Sequence, residues 1–565
     1  MRKWILAAAL FLSALFVRPV GAEEPPAAPP PIAPETPAER ATRTLREDLD
    51  RIFAEAGLSD TIIAARVVAL RPAQGAPESR HDRDRGVALP AAGEGREILY
   101  SVRANQPLVP ASTTKLVTTA ACWERLGPDW RIRTRVGHLA AEKKGDPPDL
   151  AVLGGGDPNF SGRFWDDDPV GAFRRWAAVL KSRGLTKLGR VLLDDGLFEA
   201  EVVHPNWPAN QRQEWYEAPA GALNLNDNCV DVRLAATKAG EFADVRLVPP
   251  TAYVTLDNQV MTVEKKANHR YGVAREVLGA GLPGLRLRAS GGYWTGAAPA
   301  VQNVAVHNPT LYFGSTLAET LRAEGIVVAG PVQRAQLVTA DGVHPAFVCD
   351  LVHTSPLGAT VAVANKRSQG FYAECLLKLL GAYAANPQAE YGAKAPADRP
   401  RVASWENGRA EAMRWLAERG IPTAGVVVDD GSGLSKENRL TALAVTELLA
   451  LMYERHGPGF AGAKPGSAEA TPGAPAPLGP GFVGTLAVAG QDGSLRSRMR
   501  NTAAEGNVWG KTGYVYGTSA LSGYVRTRSG RWVAFSVLMN DVPWGGLWRA
   551  RLAQDKLCIR LVDYE

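Results

Sequence analysis

Pro110-Ala111-Ser112-Thr113-Thr114-Lys115-Leu116-Val117 decides how the rest of this 565-residue chain is read. The apolar run that follows it predicts a buried helix ending at Gly127-Pro128, a strong stop signal. A serine and a lysine three apart on a helix share one face, one turn apart, which brings the amine within reach of the hydroxyl. A serine hydroxyl is a weak nucleophile until a base takes its proton, and a partly desolvated lysine can be that base. Ser112 is therefore the candidate nucleophile and Lys115 its candidate base. The same spacing also occurs wherever a serine begins a helix beside a solvated lysine, so its meaning depends on the segments that accompany it.

Two such segments follow in order. Gly510-Lys511-Thr512-Gly513 is flanked by Val508-Trp509 and Tyr514-Val515-Tyr516. It reads as a strand whose glycines allow close approach of a ligand or a backbone. Between the motifs stands Lys366-Arg367-Ser368-Gln369-Gly370-Phe371-Tyr372-Ala373-Glu374. Ser-x-x-Lys, then Ser-x-Asn, then Lys-Thr-Gly is the signature of penicillin-binding proteins and class A β-lactamases. The middle element departs from it, with Gly370 where asparagine is expected. A phosphate-binding loop ending at Gly510-Lys511-Thr512 is excluded by spacing, because Glu505 stands where that loop needs glycine.

Further segments narrow the family: Leu99-Tyr100-Ser101, Gly154-Gly155-Gly156-Asp157-Pro158, Ala222-Leu223-Asn224-Leu225-Asn226-Asp227-Asn228-Cys229-Val230, Asp430-Gly431-Ser432-Gly433-Leu434-Ser435, Ala489-Gly490-Gln491-Asp492-Gly493-Ser494-Leu495 and Ser519-Ala520-Leu521-Ser522-Gly523-Tyr524. With the three motifs they resemble the D-alanyl-D-alanine carboxypeptidase/endopeptidase family, the class C low-molecular-mass penicillin-binding proteins of peptidase family S13. The resemblance implies acylation at Ser112 by peptidoglycan stem peptides, with Lys115 as base and Ser368 as proton shuttle. Lys511 and Thr512 would grip the substrate carboxylate, and Gly513 would let the substrate lie against the strand edge. The backbone N–H groups of Ser112 and Tyr514 would form the oxyanion hole. The family's asparagine, here replaced by Gly370, would hydrogen-bond the substrate amide; Gln369 could supply an amide from the adjacent position, although on an extended segment it would point elsewhere. The resemblance further implies β-lactam antibiotics as covalent inhibitors and no metal or organic cofactor. A catalytically weakened wall-binding protein of the same fold is the competing expectation, carried by Gly370. The Asp430–Ser435 and Gln491–Leu495 segments read as structural loops bordering the site, and the triple glycine and Asn224–Cys229 as tight turns.

Composition agrees with a globular enzyme: 45% hydrophobic, 22% charged, formal charge +6. No concentrated basic stripe points to nucleic acid. Arg2 and Lys3, the apolar run Trp4 to Phe16 and Val20-Gly21-Ala22 read as a signal peptide, residues 1–22, so the mature chain is expected to be exported, periplasmic or extracellular, without an integral membrane segment. The five cysteines are too scattered for a disulfide framework, with Cys122 and Cys375 reading as small buried hydrophobes. The eight histidines show no metal-ligand spacing.

Residues 23–40 are expected to be a disordered Pro/Ala-rich linker, followed by an amphipathic helix carrying Leu45, Leu49, Ile52 and Phe53. Thr61–Leu70 and Glu97–Arg103 read as paired strands, separated by a hydrophilic insertion over 71–96 that is too polar for the core. The gap from Ser112 to Ser368 is larger than a compact catalytic domain needs. The expected organisation is an α/β (α+β) penicillin-binding domain with an antiparallel sheet and a helical region, formed by 41–130 and 345–565. It has a flexible loop at 457–481 and accessory domains inserted at 131–344, with a nested part near 205–290. Phe371–Tyr383 and Leu547–Val562 read as helices, and Ser522–Thr527 with Arg531–Leu538 as an antiparallel pair.

Overall fold

The computed structural model describes residues 35–70, 96–141, 143–278, 284–339, 341–392, 402–457 and 481–564. The signal-peptide and most of the linker, insertion and 457–481 loop expectations fall outside these residues. Where the linker is described it is not disordered: a helix, Pro37–Ala54, begins inside it. Pro37 occupies the first turn, where its fixed φ suits a helix and its missing N–H is no loss. Thr36 and Glu39 form a reciprocal capping box.

The catalytic sheet has six antiparallel strands in the order Ala487–Val488, Val508–Val515, Thr518–Arg526, Trp532–Asn540, Ile62–Ala69 and Ile98–Val102. Its central strands are apolar on both faces, because both faces are covered. Val533, Phe535, Val537 and Met539 pack toward the first and last helices, Pro37–Ala54 and Leu547–Val562, whereas Ala534 and Leu538 meet a helical lobe on the other side. That lobe contains Lys115–Leu126, Leu357–Lys366, Gly370–Tyr383, Trp405–Glu418 and Ala442–His456.

A second sheet separates the two catalytic stretches. Its order is Val332–Arg334, Val191–Asp194, Asp149–Leu153, Arg131–Leu139 and Phe347–Pro356. Phe347–Pro356 pairs along Arg131–Leu139, so the boundary expected at 344/345 lies too early. The chain re-enters the helical lobe at Leu357, whose N–H donates to Trp130 O (2.8 Å), next to the point where it left. Two three-stranded sheets lie further inside the insertion, over Cys229–Ala235, Asp244–Val248 and Ala300–Ala305, and over Val254–Val263, Arg270–Val277 and Leu285–Trp294. The nested part therefore continues past the expected limit near 290. Cross-strand pairing between distant residues sets these limits, and local sequence does not mark it.

Arg96 corrects the view of 71–96 as too polar for the core. It is nearly buried and pairs with Glu447 and Glu454. Glu447, on Ala442–His456, also accepts from Arg66 Nη1 (2.8 Å), which projects from the strand Ile62–Ala69. One fully buried carboxylate thus joins sheet and helical lobe through two guanidiniums. Removing one partner of such a network leaves uncompensated buried charge and costs about 3–5 kcal/mol. Glu447→Ala should lower unfolding free energy by that amount, read from the urea midpoint. A midpoint within error of the parent would show that the network contributes nothing net.

Candidate active site

Ser112 stands in a tight 3-10 turn, Ala111–Thr114, that leads into the α-helix Lys115–Leu126. Ala111 enters the turn at φ +46°, a left-handed conformation that costs a residue with a Cβ roughly 1–2 kcal/mol. The turn holds itself: Thr113 Oγ1 donates to Pro110 O (2.6 Å) and Thr114 Oγ1 to Ala111 O (2.9 Å). Two glycines let other segments touch it. A methyl at Gly513 would lie 2.6 Å from Pro110 O and 3.3 Å from Ser112 N, and one at Gly433 would lie 1.8 Å from Ala111 O. The strand Val508–Val515 and the loop around Ser432 close on Ser112 from two sides only because these positions carry no side chain.

Two lysines converge there. Lys115 Nζ donates to Ser112 Oγ (2.9 Å) and to Ser432 O (2.6 Å). Lys511 Nζ donates to Ser368 Oγ (2.7 Å) and to Thr512 O (2.8 Å). Both are buried, and neither forms an ion pair among the described residues. Burial pushes the Lys115 ammonium down to about 8, while the negative charges of Glu374 and Asp430 hold it up. Burial, then the charge of Lys115, pushes Lys511 well below the usual lysine range. A lysine poised near neutrality can exchange a proton with a hydroxyl it already touches.

Ser368 takes φ +58°, a strained conformation at the end of the helix Leu357–Lys366, and this turns its hydroxyl toward Lys511. Thr512 Oγ1 donates to Ser494 Oγ (2.9 Å) on the strand's outer side. From Lys511 to Val515 the strand pairs only with Thr518–Arg526, since Ala487–Val488 covers Trp509 and Gly510 alone. Its free edge carries Gly513 and the half-exposed Tyr514 beside the Ser112 turn.

Gln369 does not face the groove. Its Nε2 donates to Asp227 Oδ2 (2.6 Å), and Asp227 is in turn paired with Arg163. The expectation that Gln369 offers its amide to substrate is therefore corrected: an acidic partner from the insertion takes that amide. Asn226, Asp227 and Asn228 all have positive φ, so the predicted turn exists, and it also props the Ser368 segment. Gly370 opens the helix Gly370–Tyr383 and is buried. A Cβ built on it would meet Ser432 Cβ at 3.4 Å and Tyr216 O at 3.6 Å, ordinary contact distances.

Sequence reasoning missed the groups that hold Lys115. Glu374 is fully buried, and its Oε2 accepts from Trp405 Nε1 (2.7 Å) and Gly431 N (2.9 Å). Asp430 accepts from Gly433 N (2.6 Å), Ser435 N (2.7 Å), Asn438 Nδ2 (2.8 Å) and Trp207 Nε1 (2.9 Å). The two carboxylates fix the loop whose Ser432 carbonyl accepts from Lys115. Burial, then the charge of Asp430, raises the Glu374 carboxyl to about 7. The run Asp430-Gly431-Ser432-Gly433 was visible as a bordering loop, but nothing local marked its carbonyl as a lysine acceptor.

Comparison with known proteins shows the family and the fold. The model of the D-Ala-D-Ala carboxypeptidase 3 (S13) family matches residues 81–458 and 473–551. A D-alanyl-D-alanine carboxypeptidase from Actinomadura sp. is 31% identical over 535 residues, 92% of this chain and 85% of that protein. Carboxypeptidase DacB from Mycolicibacterium smegmatis is 26% identical over 455 residues, 78% of this chain and 74% of its own. The crystal structure of penicillin binding protein 4 from Haemophilus influenzae superposes with a TM-score of 0.66 at 21% identity, covering 92% of this chain and 99% of that one.

Glu374→Gln keeps the hydrogen-bond acceptor and removes a charge that favours the ammonium form of Lys115. The free amine should then persist to lower pH. The acid limb of the serine-acylation rate, followed between about pH 6 and 9, should move down relative to the parent protein. An unmoved limb would mean that Glu374 acts on the fold alone.

Proposed function

This chain belongs to the D-Ala-D-Ala carboxypeptidase 3 (S13) family, and on that footing we propose that it is a serine-type D-Ala-D-Ala carboxypeptidase acting on peptidoglycan stem peptides through a Ser112 acyl-enzyme. The observation that carries the reading is the pair of buried lysines, each hydrogen-bonded to a serine hydroxyl and neither paired with a carboxylate among the described residues. An unpaired buried ammonium is costly, and a structural role would call for a counter-ion.

With Lys115 as the free amine, Ser112 Oγ attacks the carbonyl between the two D-alanines while its proton passes to Lys115 Nζ. The oxyanion forms where the Ser112 and Tyr514 N–H groups meet, at the junction that Gly513 keeps open. The C–N bond breaks, and the leaving nitrogen takes a proton through Ser368, whose hydroxyl Lys511 holds. Water then hydrolyses the ester by the reverse proton path. Lys511, whose ammonium form a bound carboxylate favours, and the hydroxyls of Thr512 and Ser494 receive the terminal carboxylate. A β-lactam would acylate the same serine as a mimic of the D-Ala-D-Ala amide. The leader-like N-terminus supports export to the compartment where that substrate lies, and no described helix is long and apolar enough to cross a membrane.

The weakened-protein alternative rests on Gly370 alone. Loss of one amide contact to substrate costs about 0.5–3 kcal/mol, roughly two- to a hundred-fold in rate, which slows an enzyme without abolishing it. Fluorescent penicillin should label the wild type and not Ser112→Ala, and wild type should release D-Ala from a pentapeptide ending in D-Ala-D-Ala. A folded wild type that does neither would sink the enzyme reading. Gly370→Asn, whose Cβ has room, should raise the acylation rate within that two- to hundred-fold range. An unchanged or lower rate would show that the site is built around the glycine.

A further inference from the structure

The strained segment that carries Ser368 is fixed from outside the catalytic domain. On the groove side the Ser368 hydroxyl accepts from Lys511 Nζ. The chain then passes directly into Gln369, whose buried side chain donates from Nε2 to Asp227 Oδ2 (2.6 Å). Asp227 is in turn held by a fork. Arg163 Nη1 donates to its Oδ1 (2.5 Å), and Arg163 Nη2 donates to its Oδ2. Arg163 also reaches Ser161 Oγ (3.2 Å) and Tyr372 Oη (3.5 Å), with its guanidinium carbon 5.9 Å from the Tyr372 ring centroid. Tyr372 lies on the helix Gly370–Tyr383 that follows Ser368. The insertion therefore clasps this segment at 369 and 372, on either side of Gly370.

The segment needs such a clasp. Ser368 holds φ +58°, a conformation that persists only where the surroundings over-determine it. Gly370 brings no side-chain anchor and more backbone freedom than any other residue. The helix start has no side-chain cap either, because its N-cap residue is Gln369 and that side chain is committed to Asp227. A capping side chain would have fixed the turn from within. Here the fixing group is a carboxylate 142 residues earlier in the chain. It is delivered by three successive non-glycine residues at positive φ, Asn226, Asp227 and Asn228, each in a conformation that L-residues rarely adopt. Charge-assisted bonds to a fork of this kind are the strong and directional ones.

We propose that Asp227, oriented by Arg163, is a positioning residue for the reaction at Ser112. It acts through Gln369 to keep the Ser368 hydroxyl on Lys511 Nζ, and so makes the insertion a working part of the catalytic centre. The inference rests on the reading of Ser368 as proton shuttle and deepens it. Asp227 touches neither substrate nor Ser112 in this role. Its effect is on the rate of the chemical step, because a misplaced shuttle leaves ligand binding in the groove intact and slows proton transfer to the leaving nitrogen.

Asp227→Ala should lower the rate constant for Ser112 acylation by a penicillin about tenfold or more, as expected for the loss of one charge-assisted hydrogen bond. The dissociation constant of the preceding non-covalent complex should stay within about twofold of the parent. Gln369→Ala removes the same bond from its other end and leaves the Arg163–Asp227 pair in place. It should lose about as much, and the double variant should lose no more than either single one, because the two changes delete one shared contact. Hydrogen exchange supplies a readout independent of activity. The amides of residues 369–372 should exchange faster in Asp227→Ala, while those of Lys115–Leu126 keep the parent rate. Acylation within twofold of the parent in both single variants, fully additive losses, or a loss carried wholly by the dissociation constant would each overturn the positioning role. Unchanged exchange at 369–372 overturns it whatever the rates. If the parent protein is not acylated at all, faster exchange at 369–372 in Asp227→Ala keeps the clasp and rejects the carboxypeptidase reading.

Discussion

Two buried lysines that form no ion pair among the described residues are the constraint around which this structure is arranged. Lys115 and Lys511 each spend their hydrogen bonds on a serine hydroxyl and a backbone carbonyl. A third buried lysine shows the ordinary solution. Lys378 lies against Glu199 (3.1 Å) and over the ring of Trp405 (3.5 Å), neutralised as a structural lysine should be. The difference separates a cation that stabilises a fold from one whose proton is available. In the cleft the nearest negative charges, Glu374 and Asp430, act through space and through the loop they organise.

The cleft that holds these lysines is built from distant parts of the chain. The walls come from three places. The helical lobe supplies the Ser112 turn, the sheet supplies Lys511, and the insertion supplies Asp227, which ties down Gln369 beside Ser368. Sheet and lobe are joined by the buried Arg66–Glu447–Arg96 network. Gly433 and Gly513 then bring loop and strand to within contact of the turn. The non-glycine left-handed residues Ala111 and Ser368 lie at this meeting point, where backbone strain orients the serine hydroxyls toward the two lysines.

Much of this was legible in the order of residues. The Ser112–Lys115 spacing, the strand around Lys511, the Gly127 stop and the closing helix Leu547–Val562 are set by contacts within a few positions, and the structure shows each of them. The capping box at Thr36–Glu39 was equally local, but the Pro/Ala-rich composition around it masked it. The boundary near 345 was misplaced for a different reason. Phe347–Pro356 finds its partner more than two hundred residues earlier, and no feature of the segment itself names that partner.

The sequence by itself determined that Ser112 and Lys115 share one turn and that Lys511 lies on a strand, because contacts within a few positions set both, and its motifs carried the resemblance to the family. Only the tertiary structure decided what surrounds them: the Ser432 carbonyl at Lys115, the Glu374 and Asp430 charges behind it, and Asp227 at Gln369. These depend on distance in space between residues far apart in the chain. The electrostatics that move a buried lysine toward neutrality depend on that distance and on burial, which local sequence does not encode.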